Sequence, residues 1–154
     1  MAAKKVWREK LEEKHENKIV DIPRPMQKHF GTGRMLIPRP VEVDAVMRKT
    51  PKGKLLMQSQ IRDFLAHEYD ADLACPIRTG IFVRIAAEAA EEDKQRGLST
   101  ITPYWRIVRD DGSLNPKYPG GLDLQRKRLE GEGHTIESGE KTCVVNYEKR
   151  LFKI

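Results

Sequence analysis

The chain has 154 residues, enough for one sizeable core and not enough to demand two full domains. Lysine and arginine outnumber aspartate and glutamate 29 to 23, a formal charge of +6 with a pI near 9.4, which suits a polyanionic partner such as nucleic acid and equally a basic protein without one. Cys75 and Cys143 are too few for a disulfide scaffold and lack zinc-site spacing, and there is neither an apolar run of about 18 residues nor a signal-peptide core; a cytoplasmic protein with reduced thiols, no metal and no cofactor is expected.

The first segment, "VWREKLEEKHENK", is rich in helix formers, with Trp7 and Leu11 its only large apolar residues after Val6, and predicts a short helix with a thin docking stripe. "DIPRPMQKHFGTGRMLIPRP" follows, with Pro23, Pro25, Pro38, Pro40, Gly31 and Gly33, and reads as an extended arm. Residues 1–39 are therefore expected to form a basic, Pro-rich arm, and a compact domain is expected over 40–154.

Within that domain "VEVDAVMRKT" predicts a helix of about three turns ending at Pro51. Ile61, Phe64 and Leu65 lie at helical spacing behind Ser59, a candidate N-cap, so Ser59 to about Tyr69 reads as helix. After "DADLACP", Ile77, Ile81, Ile85 and Ala89 stand four apart in a long helix that begins after Pro76 and ends at Gly97. The pair has the layout of a helix-turn-helix, whose second helix enters a DNA groove. "YWRIVRDDGSL" reads as a strand entering a turn, "LDLQRKRLEGEG" as a last helix and "KTCVVNY" as a strand. The class is mainly α with small β elements (α+β), in a winged helix-turn-helix pattern with a C-terminal β extension.

Four fragments then fall in order: "TPKGKLLMQSQI", "PYWRI" at Pro103 to Ile107, Tyr-x-Gly-Gly at Tyr118 to Gly121, and Glu-Gly-His at Glu132 to His134. From roughly Pro40 to His134 the chain resembles the alkylguanine-DNA alkyltransferases and their non-enzymatic alkyltransferase-like relatives. The resemblance implies a protein that binds alkylated duplex DNA through the minor groove, acts in DNA repair and hands the lesion to a repair-pathway protein. Charge and helix layout by themselves support only DNA binding. A monomer that does not touch membranes is expected.

The departures from the family bear on chemistry. In the enzymes a thiolate, assisted by a neighbouring histidine that a glutamate orients, accepts the alkyl group of a flipped guanine. Tyr104 stands in place of that cysteine and Trp105 in place of the histidine. A phenol of pKa near 10 is a poor soft nucleophile and an indole N–H is no base, so the chain is expected not to be an enzyme. Glu132 matches the relay glutamate and is expected to serve a structural hydrogen bond, to Arg106 or backbone.

The expected base pocket comprises Tyr104, Trp105, Arg106, Tyr118, Gly120, Gly121 and Glu132. Its two neighbouring rings either wall an open pocket that stacks on a flipped base or fill the space as core. Tyr118 is left free to reach a base edge, whereas Pro119 removes the family's backbone donor.

Expected DNA contacts are Lys52, Lys54, Gln58, Ile77, Arg78 and Arg84, with Lys94 further along the helix. Ile77 stands where the family has its intercalating arginine and is either a wedge between bases or core. About ten extra residues between Gly80 and Pro103 predict a longer recognition helix whose acidic end, "EEDKQRG", faces away from phosphate. Two rivals stay open: a protein-interaction or RNA-binding module with a filled pocket, and displaced chemistry at Cys75, which precedes a helix N-terminus.

Overall fold

The computed structural model of the chain describes residues 7–14 and 16–154; Val6 of the opening segment lies outside them. In chain order the elements are α1 (Trp7–Glu12), β1 (Lys18–Asp21), α2 (Arg24–Phe30), β2 (Arg34–Ile37), α3 (Pro40–Met47), β3 (Leu56–Met57), α4 (Gln58–Glu68), β4 (Leu73–Ala74) and α5 (Pro76–Gln95). A 3-10 turn at Tyr104–Arg106, β5 (Ile107–Val108), α6 (Gly121–Gly131), β6 (Ile136–Ser138), β7 (Thr142–Val144) and a 3-10 turn at Tyr147–Arg150 complete the chain. The class is the expected α+β, with helices dominant.

Proline at the first helical position removes a donor that would have no partner, and α3 and α5 both begin this way. Helices α4 and α5, joined through β4, form the expected helix-turn-helix. Ser59 is not the cap of α4: the helix starts one residue earlier, with the Met57 N–H donating to Gln60 Oε1 at 2.8 Å. Helix α3 is shorter than three turns. At residues 104–106 the expected strand is a 3-10 turn, and only Ile107–Val108 pairs, in parallel with Leu56–Met57.

The apolar row Ile77, Ile81, Ile85, Ala89 is not one buried face. Successive fourth residues advance about 40° around a helix of 3.6 residues per turn, so the row turns by roughly 120° over its length. Ala89 is buried beside Phe82, Val83, Ala86, Ala87 and Ala90, whereas Ile77 is 64% and Ile81 47% exposed. The core reading of Ile77 is thereby corrected.

The extended arm expected before Pro40 is instead folded against the rest. Strand β1 pairs antiparallel with β2, and β2 runs parallel to β4, Met35 opposite Leu73 and Leu36 opposite Ala74. Leu11 and Leu36, 1% and 0% exposed, share one core with Val43, Ile61 and Phe82. Proline excludes helix interiors and ladder donors, not elements as such: Pro23 and Pro25 frame the start of α2, and Pro38 follows β2. Gly33, with φ +139°, is required by a close approach, since a Cβ there would lie 2.4 Å from Asp72 Oδ2, the acceptor of the Arg34 N–H at 2.8 Å. A second core of Leu55, Val108, Leu114, Leu129, Ile136 and Val144 lies beneath the β6–β7 hairpin.

Candidate nucleic-acid interface

The first turns of α5 present their exposed side to a groove of about 540 Å³. Ile77, Ile81, Ile85 and Trp7 supply its apolar wall, Gln58 and Asn115 its neutral polar groups, and Lys10, Arg84, Arg109 and Lys117 its charge. None of the residues lining it is acidic. None of these four cations is in an ion pair among the described residues. A positive groove with an apolar wall attracts phosphates and offers a surface for sugars or bases once water is displaced.

The structure divides the six contacts expected from sequence. Gln58, Ile77 and Arg84 meet in this groove. Arg78 points to another side of α5 and lines a groove with Lys14 and Lys18. Lys52 lines a third with Lys94, Trp105 and Glu132, and Lys54 is exposed at the same turn.

Tyr104 is fully buried, its ring edge-on to Trp105 and to Tyr118 at centroid distances of 5.4 and 5.3 Å. Its hydroxyl donates to Glu91 Oε1 at 2.7 Å and accepts from Arg128 Nη1 at 2.9 Å, while Arg128 pairs with Glu91 at 2.5 Å. Burial first, and then the hydrogen bond to Glu91, hold the phenol above the ordinary tyrosine range, which disfavours a phenolate nucleophile. Tyr118 is likewise buried and donates to the Ile107 carbonyl at 3.0 Å, so it does not reach out to a base edge. Of the two alternatives for the rings, the Tyr104–Tyr118 pair fills the space as core; Trp105 stays half-buried beside the third groove.

Glu132 accepts from Trp105 Nε1 at 3.0 Å and from Arg106 Nε and Nη2 at 2.9 and 2.8 Å, and Arg106 Nη1 donates to the Thr50 carbonyl at 2.8 Å. Burial alone would raise this carboxyl; the Arg106 hydrogen bonds, followed by Trp105, outweigh it and set Glu132 below the ordinary glutamate value. The hydrogen bond expected between Glu132 and Arg106 is present in the structure. Gly120, in the left-handed region at φ +76°, and Gly121 turn the chain into α6 and line none of the grooves.

Cys75 is buried against Ile22 and Met35, and its N–H donates to the Leu36 carbonyl at 2.8 Å. An apolar enclosure of this kind makes a thiol inert rather than nucleophilic. The acidic end of α5 also differs from expectation: instead of merely facing away, Glu91 holds Tyr104 and Arg128, and Glu92 and Asp93 hold Arg8.

Several participants carried little signal in the sequence. Gln125 is fully buried, donates to the Trp105 carbonyl at 3.1 Å and accepts from the Asn115 N–H at 2.9 Å, tying the loop before α6 to the Tyr104 turn. Lys117 and Arg109 are distant in sequence from α5 and join its groove only through this packing. Trp7, a lone ring with a lysine three residues on, was the one visible hint. Among the described residues no cluster of three or more metal-ligating side chains occurs, and no helix is long and apolar enough to cross a membrane.

No protein-family model and no curated protein sequence matches the chain. Solved structures do. The chain is similar to S. pombe Atl1 in complex with damaged DNA containing O6-carboxymethylguanine, at 18% identity and TM-score 0.51 over 75% of this chain and 94% of that one. It is also similar to S. pombe ATL in complex with DNA, at 17% identity and TM-score 0.52 over the same shares. At such identities the likeness is one of fold.

Proposed function

Starting from an alkyltransferase-like fold, we propose that this chain is a non-catalytic duplex-DNA-binding protein that recognises alkylated guanine and serves DNA repair without alkyl transfer. The observation that carries the reading is the groove at the start of α5, in which two exposed isoleucines lie among four cations and no carboxylate. Exposed apolar side chains on a positive surface are poor for solubility and suit a wedge against bases or sugars. The fold neighbours hold DNA, one of them DNA with an O6-modified guanine. Absence of transfer is supported by Tyr104, whose hydroxyl is sequestered between Glu91 and Arg128, and by Trp105, whose indole N–H goes to Glu132. A cytoplasmic monomer that passes the lesion to a repair-pathway protein completes this reading.

The filled space at Tyr104 and Tyr118 favours a second reading, a grip on nucleic acid that does not sort lesions. Titration of the full chain with plain and O6-alkylguanine duplexes at several salt concentrations separates the two. Four groove cations predict a log–log salt slope of about −3 to −4, at roughly −0.9 per neutralised phosphate. Tighter binding to the modified duplex, with unchanged intact protein mass after incubation, is the expected result. Equal affinities leave only the second reading, a mass gain of one alkyl group overturns the absence of transfer, and no salt-dependent binding to either duplex overturns DNA binding itself.

A further inference from the structure

Helix α1 lies along α5 and is held there by more than its one buried leucine. The Arg8 N–H donates to Glu92 Oε1 at 2.8 Å, the Arg8 guanidinium pairs with buried Asp93, and Leu11 enters the main core. From Arg8 beside Glu92, the segment runs back along α5 to Lys14, which shares a groove with Arg78. This anchoring fixes which of its side chains remain free. Trp7 and Lys10 both line the positive groove at the start of α5, with Lys10 Nζ 4.1 Å from the centre of the Trp7 ring. The ring thus positions the ammonium, and its other contacts back onto the core.

We infer that α1 is the outer wall of the DNA-binding groove, Lys10 pairing with a backbone phosphate while the Trp7 ring packs on the sugar or base of the adjoining nucleotide. The inference rests on the DNA-binding reading above and adds to it a second element, from outside the helix-turn-helix, that lengthens the contact along the duplex. The chemistry is complementary on both counts. A lysine held over an aromatic face can exchange the ring for a phosphate, and an indole stacks on any nucleotide regardless of sequence. The contribution of α1 is therefore to affinity and footprint length, not to lesion choice.

The test measures duplex affinity against salt for the full chain and for Lys10→Ala, Trp7→Leu and Arg84→Ala. Lys10→Ala is expected to make the salt slope shallower by about one, and Trp7→Leu to weaken plain and alkylguanine duplexes alike by about tenfold, toward the lower end of the range for one stacked ring. Trp7→Leu retains an apolar group on the core, and its thermal midpoint is checked first. If it is poorly folded, Lys10→Ala, which removes no core contact, decides alone. Lys10→Ala with unchanged slope and affinity, while Arg84→Ala loses both, overturns the role of α1 and leaves the DNA-binding reading standing. Failure of the unmodified chain to bind any duplex overturns both.

Discussion

Tyr104 shows how one side chain can hold a site together. With its ring buried between Trp105 and Tyr118 and its hydroxyl shared by Glu91 and Arg128, it acts as a packing and hydrogen-bonding centre. Placing a thiol at this position is expected to damage the fold without creating an enzyme. Tyr104→Cys should cost about 3–5 kcal/mol in a urea titration, the range for emptying a large buried ring site. Its intact mass should stay unchanged after incubation with an alkylguanine duplex, because residue 105 offers an indole N–H already given to Glu132 and no base. An alkyl adduct on this variant would show that the pocket still admits and activates a lesion. That residues 104 and 105 own neither a thiol nor an imidazole was legible in the sequence, since it follows from which atoms the side chains carry. Whether the rings stood open or packed was not, because that depends on Gln125, Glu91 and Arg128 approaching from two other helices.

Among the elements, α5 and α1 depend on each other. The acidic end of α5, which by sequence reads as a solvated tail, is the anchor for Arg8 and so for the whole of α1. Arg8→Ala leaves the Asp93 carboxylate buried without its partner and is expected to lower stability by about 1.5–3 kcal/mol, as for a hydrogen bond to a charged group. Ile81→Ser, on the exposed side of the same helix, is expected to change stability by no more than about 0.5 kcal/mol. Chemical unfolding of both variants checks the contrast, and equal losses would mean that Ile81 belongs to the core. The prolines at 23, 25 and 38 teach the same lesson from the other side: they mark where elements start and stop, and only the pairing of β2 with β4 shows that those elements dock.

Over the whole molecule, acid is expected to loosen the fold in two stages. His134 is buried, with neither ring nitrogen hydrogen-bonded among the described residues, and burial first, then the Arg150 charge, lower its pKa; Glu132 opposes this and Arg106 adds to it. The unfolded chain therefore binds a proton more readily. Stability from neutral His134 is present in full above about pH 6.5 and declines as pH falls through the lowered folded value. Glu132, also lowered, adds a second loss below about pH 4.3. Unfolding midpoints between about pH 7 and pH 5 should fall for the natural chain and less steeply for His134→Leu; parallel slopes would remove the histidine from the account.

The sequence by itself determined the class of fold, the helix-turn-helix and which functional groups stand at residues 104 and 105, because helical period, proline position and functional groups are local properties read one residue at a time. Only the tertiary structure decided that Ile77 and Ile81 face solvent, that Leu11 and Leu36 ahead of Pro40 join the main core, and that Lys10, Arg84, Arg109 and Lys117 share one groove. These are facts about which surfaces meet. A helix carrying apolar residues on most of its circumference, as α5 does, leaves that choice to its neighbours, and here α1, α3 and α4 cover one side of α5 and leave the other exposed.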